Sequence, residues 1–173
     1  MPRLLLALLL LVPLAHALAA EPLDGAVAAY QRGDYPQALP VLRAQAEAGD
    51  PVAQVYMGLA YYNGHGVAED DAVSLDWFRR SAEQGYAEGQ FQLGYMYVYG
   101  FGVPAAELDP EGQAARWFHE AAVQGHAEAQ FNLGLLLLAG SGVERDEAEA
   151  MRWIELAAQN GSAGAQRFTG TFK

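Results

Sequence analysis

The chain has 173 residues, 52% of them apolar, and carries 21 acidic side chains against 10 basic ones for a formal net charge of −11. That apolar content excludes a disordered polymer and suits one domain, compact or elongated. The charge repels nucleic acid and anionic lipid surfaces, which argues against DNA, RNA or peripheral membrane binding and leaves a basic partner open.

The chain opens as a secretory leader. Met1-Pro2-Arg3 is a short basic start, Leu4 to Leu14 is an apolar run broken only by Pro13, and Ala15-His16-Ala17 is a small-x-small exit. We expect a signal peptide over residues 1–19, cleaved after Ala17 or Ala19. The chain is then secreted across an inner membrane into the periplasm, with no membrane insertion after cleavage. No cysteine follows the run, which excludes a lipid-anchored lipoprotein, and the fold does without disulfides in a compartment that would allow them. Without Arg3 the balance is 9 basic against 21 acidic residues, a net charge of −12.

Residues 21–49 predict a divergent helical pair. Leu23, Val27 and Tyr30 share one helical face, Gly33-Asp34 breaks it, and Tyr35, Ala38, Leu39 and Leu42 form the next. One pattern then occurs three times: AQVYMGLAYYNGHGV from Ala53, GQFQLGYMYVYGFGV from Gly89 and AQFNLGLLLLAGSGV from Ala129. Gln54, Gln90 and Gln130 are 36 and 40 residues apart, as are Gly58, Gly94 and Gly134, and Gly64, Gly100 and Gly140. Such a period marks stacked supersecondary units sharing a continuous core.

The units are 50–85, 86–125 and 126–161, with a capping helix over 162–173. Asp50-Pro51 opens a first helix to about Asn63 with an N-cap acceptor and a proline at the first helical position. The Gly-x-Gly-Val turn follows, then a second helix from about Asp71. On that helix Ser74, Trp77, Phe78, Ser81 and Ala82 form one face, recurring as Ala114, Trp117, Phe118, Ala121, Ala122 and as Ala150, Trp153, Ile154, Ala157, Ala158. Small residues around a large ring let neighbouring helices approach closely. Gly85, Gly125 and Gly161 suit left-handed C-terminal caps. The middle unit carries four extra residues in PAAELDP, where Asp109-Pro110 restarts the helix; tolerated loop length is the expected role of residues 104–110.

The A-Q-x-x-L-G-x-x-Y-x-x-G-x-G-V and A-x-x-W-[FI]-x-x-A-A-x-x-G series resemble the Sel-1-like repeat family, relatives of the tetratricopeptide repeats. Met57, Gly89 and Leu137 depart from the pattern without threatening it. The resemblance implies an all-α fold, a right-handed α-solenoid of stacked antiparallel helix pairs, acting as an adaptor that binds another protein or peptide segment along its concave face. Members with signal peptides are expected in the periplasm. Some of these act in envelope assembly or signalling, and others resemble immunity proteins that neutralise a secreted effector of the type VI kind. Borrowed tetratricopeptide geometry puts Val55, Leu59 and Tyr62, then Glu88, Phe91, Tyr95 and Tyr99, then Glu128, Phe131, Leu135 and Leu138 on that face. Tyr62, Tyr95 and Tyr99 depart from the repeat consensus, and exposed tyrosines beside apolar side chains are the composition that binding surfaces favour.

No catalytic constellation accompanies them. The Gly-x-Gly-Val turns follow helices and lack the third glycine of a dinucleotide fingerprint. His65, His119 and His126 show no metal-ligand spacing, and no Gly-x-Ser-x-Gly elbow occurs. Glu69-Asp70-Asp71 and the acidic residues of 144–149 lie at starts of second helices, where carboxylates suit the helix dipole. We expect no enzyme activity, cofactor or metal; a cell-wall hydrolase is the alternative of another class, supported by compartment alone. The partner's identity and the oligomeric state stay open.

Overall fold

The computed structural model describes residues 23–171, so the expected leader lies outside the described residues. Among them are nine helices and no strand. They are α1 (Leu23–Gln31), α2 (Tyr35–Glu47), α3 (Pro51–Asn63), α4 (Asp71–Glu83), α5 (Ala87–Tyr99), α6 (Pro110–Ala122), α7 (Ala127–Ala139), α8 (Glu147–Gln159) and α9 (Ala163–Thr171). Each helix packs on its neighbours in sequence, and the first helices of successive pairs also meet, α1 on α3, α3 on α5 and α7 on α9. The chain is an all-α solenoid of helix pairs, each odd-numbered helix leading its pair.

Local chemistry sets the helix ends. The Asp34, Asp50, Asp70, Asp109 and Asp146 side chains accept from backbone N–H groups at the starts of α2, α3, α4, α6 and α8. At the other end of α3, α5 and α7, Gly64, Gly100 and Gly140 adopt left-handed φ of 66°, 72° and 69°, where a Cβ would be strained. The chain therefore turns sharply at the same place in each unit.

Within a unit the pair is tight because the central glycine of the first helix meets the large side chain of the second. A Cβ on Gly58 would lie 2.5 Å from Phe78 Cε1, one on Gly94 2.8 Å from Phe118 Cδ1, and one on Gly134 2.6 Å from Ile154 Cγ1. Phe78, Phe118 and Ile154 are correspondingly enclosed. Trp77 serves a different contact: it belongs to the N-terminal core with Leu42, Ala46 and Met57. The departure at Gly89 has a cause as well, since a methyl there would run into the Ser81 side chain and the Ala82 nitrogen.

Between units a glutamine forms each rung. Gln54, Gln90, Gln130 and Gln166 donate to the carbonyls of Ala46, Ala82, Ala122 and Ala158 at 3.1, 3.4, 2.9 and 3.2 Å, each at the end of the preceding unit. In return Gln84, Gln124 and Asn160 donate to the side-chain oxygens of Gln54, Gln90 and Gln130 at 2.8, 2.7 and 2.9 Å. Gln130 is 1% exposed, so removing its amide deletes two hydrogen bonds and the packing of a buried side chain, although the Ala122 carbonyl keeps the Gly125 N–H at 2.9 Å and Asn160 is exposed. Gln130→Ala is expected to lower unfolding free energy by about 2 kcal/mol in urea denaturation, whereas exposed Gln166→Ala changes it by less than about 0.5 kcal/mol. Equal effects would mean the buried rung carries no special weight.

Candidate functional site

The first helices bring the eleven expected contact residues into three groups, and one residue does not reach the surface. Val55 is 3% exposed and belongs to the central core with Leu75 and Phe78. Val55, where the later units have Phe91 and Phe131, is enclosed in the stack and is not part of the exposed face. Leu59, Leu135 and Leu138 are half-buried; Leu59 bridges the N-terminal and central cores, and Leu138 packs on the central and C-terminal ones.

Glu88 and Glu128 are engaged inside the chain. A Glu88 Oε2 lies 3.0 Å from His126 Nε2, and its other oxygen accepts from Gln92 at 2.7 Å. The His126 ring stacks on Phe91 with centroids 4.6 Å apart, and its Nδ1 accepts from Ala129 N at the start of α7. One unit later Glu128 accepts from the Ser162 hydroxyl at 3.0 Å, Ser162 heads α9, and Phe131 meets Phe168 edge-on at 6.2 Å. Each carboxylate thus ties its unit to the cap of the next first helix.

The tyrosines assemble. Tyr62 meets Tyr95 edge-on at 6.4 Å, Tyr95 lies 4.6 Å from Tyr99, and Tyr99 stacks on Phe101 at 5.8 Å, closing a ring back to Tyr62 at 5.6 Å. Tyr99 is 58% exposed and its neighbour Val98 41%. Burial first, then hydrogen bonding to Tyr95 and the nearby Asp71 and Glu69 charges, hold the Tyr62 phenol above its ordinary range. Phe101, in the middle of the second Gly-x-Gly turn, is the member that sequence reasoning missed. Its signal was an aromatic where the other copies have His65 and Ser141.

The cluster offers ring faces and hydroxyl tips to a ligand. Among the described residues no group of three or more His, Cys, Asp or Glu side chains gathers as a metal site would need. His65 is stacked on Tyr35 at 4.6 Å and hydrogen-bonded to the Tyr30 hydroxyl at 3.0 Å.

Comparison with known proteins fixes the family. The Sel1 repeat model matches residues 51–86, 87–126 and 127–162 in succession, more than half of the chain. The chain belongs to the Sel1 repeat family. A Sel1 repeat protein from Oxalobacter formigenes superimposes with a TM-score of 0.76 at 32% identity, over 87% of this chain and 60% of that one. A protective antigen of uropathogenic Escherichia coli with the same fold gives 0.68 at 40% identity, over 75% of this chain and 27% of that one. Among curated proteins, an Arabidopsis thaliana component of an ERAD-associated E3 ubiquitin-protein ligase is 40% identical over 73 residues, and an F-box protein from the same plant 30% identical over 77. Those matches cover 42% and 44% of this chain but only 11% and 21% of the relatives, so the matched stretch is a small part of each. Sel1 repeat proteins mediate protein–protein interaction, generally as non-catalytic scaffolds.

The Glu88 staple makes a pH prediction. Its hydrogen bond to His126, together with the Gln92 contact and against the opposing effect of burial, holds the carboxyl below its ordinary range. A lowered folded-state value means the stabilisation is fully present above the unfolded pKa of about 4.3 and is lost as pH falls through the folded one. With Glu88 37% exposed in this bridge, screening trims the effect. Glu88→Gln is expected to cost on the order of 1 kcal/mol near pH 7, and the gap to wild type should close on acidification below the ordinary carboxylate range. Thermal melts across that range check it; a gap that does not vary with pH would refute a hydrogen bond that depends on the ionised Glu88 carboxylate.

Proposed function

We propose that this chain is a non-enzymatic interaction module, exported to the periplasm, that holds a segment of a partner protein on the face formed by its first helices. The observation that carries the reading is the ring of Tyr62, Tyr95, Tyr99 and Phe101. It is partly exposed, lies at the junction of two repeats, and is built from residues that the repeat pattern does not require. Rigid aromatic side chains with polar tips supply contact area at little entropic cost, and they dominate binding energy where they cluster. Phe91, Phe131, Leu59, Leu135 and Leu138 flank it as complementary surface, with Glu88 and Glu128 setting the inter-repeat geometry.

The leader pattern of residues 1–19 supports the periplasmic location. Two roles suit such a module, an immunity protein that neutralises a secreted effector and an adaptor in envelope assembly or signalling; they differ in the protein bound. The full-length gene product, expressed in its native host, should be recovered in periplasmic extract with a partner identifiable by mass spectrometry. The Tyr62/Tyr95/Tyr99→Ala triple variant should keep its helical circular dichroism and lose partner binding by more than about tenfold, while exposed Leu156→Ala retains it. Unchanged recovery by the triple variant would remove the site assignment, and turnover of peptidoglycan by the purified protein would remove the non-enzyme reading.

A further inference from the structure

The four extra residues of the second unit lie beside the aromatic cluster. The loop from Pro104 turns through a Glu107 N–H to Pro104 carbonyl bond of 2.9 Å, and Asp109 then caps α6. Between this loop and the end of α5 is a cleft of about 410 Å³, whose walls include Tyr99, Val98, Pro104, Glu107 and Glu111. No cationic side chain lines it. Tyr99 belongs both to this cleft and to the aromatic ring, so the two are one continuous surface.

Carboxylates also lie near Tyr62. The Asp70 N–H bonds the Tyr61 carbonyl at 3.0 Å, Gly102 sits against the backbone of Asp71 immediately after Phe101, and the charges of Asp71 and Glu69 bear on Tyr62. Carboxylates therefore lie near both Tyr62 and Tyr99, two members of the ring. A guanidinium or ammonium gains from a ring face and from flanking carboxylates together. The chain itself makes the ring part of that contact with Arg80 over Trp77 at 4.6 Å and Arg116 over Trp117 at 4.5 Å.

We propose that the insertion of the second repeat completes a binding site for an arginine- or lysine-bearing segment of a partner protein, seated on Tyr62, Tyr95, Tyr99 and Phe101 with its cations between Glu69/Asp71 and Glu107/Glu111. This rests on the aromatic ring being the partner-binding surface, and it makes the loop a contact element where loop tolerance was the expectation. An overall excess of acidic residues favours the same class of partner through long-range attraction.

The test is selection from a random displayed-peptide library on the purified exported protein, followed by titration of the enriched peptides. Enriched sequences should exceed the input in arginine and lysine. Their affinity should fall about threefold to tenfold in Glu107→Gln/Glu111→Gln, a pair of near-isosteric substitutions that leaves the helix cap intact, and should weaken with salt. It should be lost in the Tyr62/Tyr95/Tyr99→Ala variant. Enriched peptides of neutral or apolar composition, lost only in the tyrosine variant, would overturn the cationic-partner inference while leaving the aromatic site standing. Peptides indifferent to both variants, or no enrichment, would overturn both.

Discussion

The glutamine at the start of each first helix from α3 onward, buried in all but the last, sets the geometry from which the rest follows. Where a second helix ends, its last carbonyls lack intrahelical partners, and here the closing glycine of the unit and the glutamine of the next both donate to one of them. Gln54, Gln90, Gln130 and Gln166 each reach eight residues back to such a carbonyl. Because three of these amides also accept from a glutamine or asparagine at the end of their own unit, each rung joins both ends of a pair to the pair before it. A unit displaced by one helical position would break both bonds, so the junction has one register.

With that register fixed, close packing does the rest. The glycine at the centre of each first helix lets Phe78, Phe118 or Ile154 lie against its backbone, which narrows the pair. The remaining faces then fall into fixed places. Trp77 points into the preceding core, and Glu88 and Glu128 meet the caps of the following helices. Tyr62 from one unit is brought beside Tyr95 from the next. The aromatic ring is thus an outcome of stacking, since its members come from two first helices and one turn.

This explains what was visible in the sequence. The helices, their caps and the glycine turns depend on neighbours within a few residues, and Asp50-Pro51, Asp109-Pro110 and Gly64 carry those signals locally. Tyr62, Tyr95 and Tyr99 stood out because they broke the pattern. Phe101 did not, because its partners are fixed only by how one turn docks on the preceding unit. Val55 was placed on the face by phase alone, and phase does not report how far a side chain extends. The staple left a trace that internal comparison can find. Where Glu88 and Glu128 precede it, the next cap is His126 or Ser162; where Val52 stands instead, the next cap is Tyr86, which makes no side-chain capping bond.

A solenoid of identical units presents an extended ligand with several equivalent seats one repeat apart, and such a ligand can shift along the stack at little cost. The longer turn after α5 breaks that translational equivalence. It gives one junction a wall that the turns after α3 and α7 lack, so a segment held as proposed would meet a stop at a single place. In a stack of like units, the one unequal turn would then serve as a position marker.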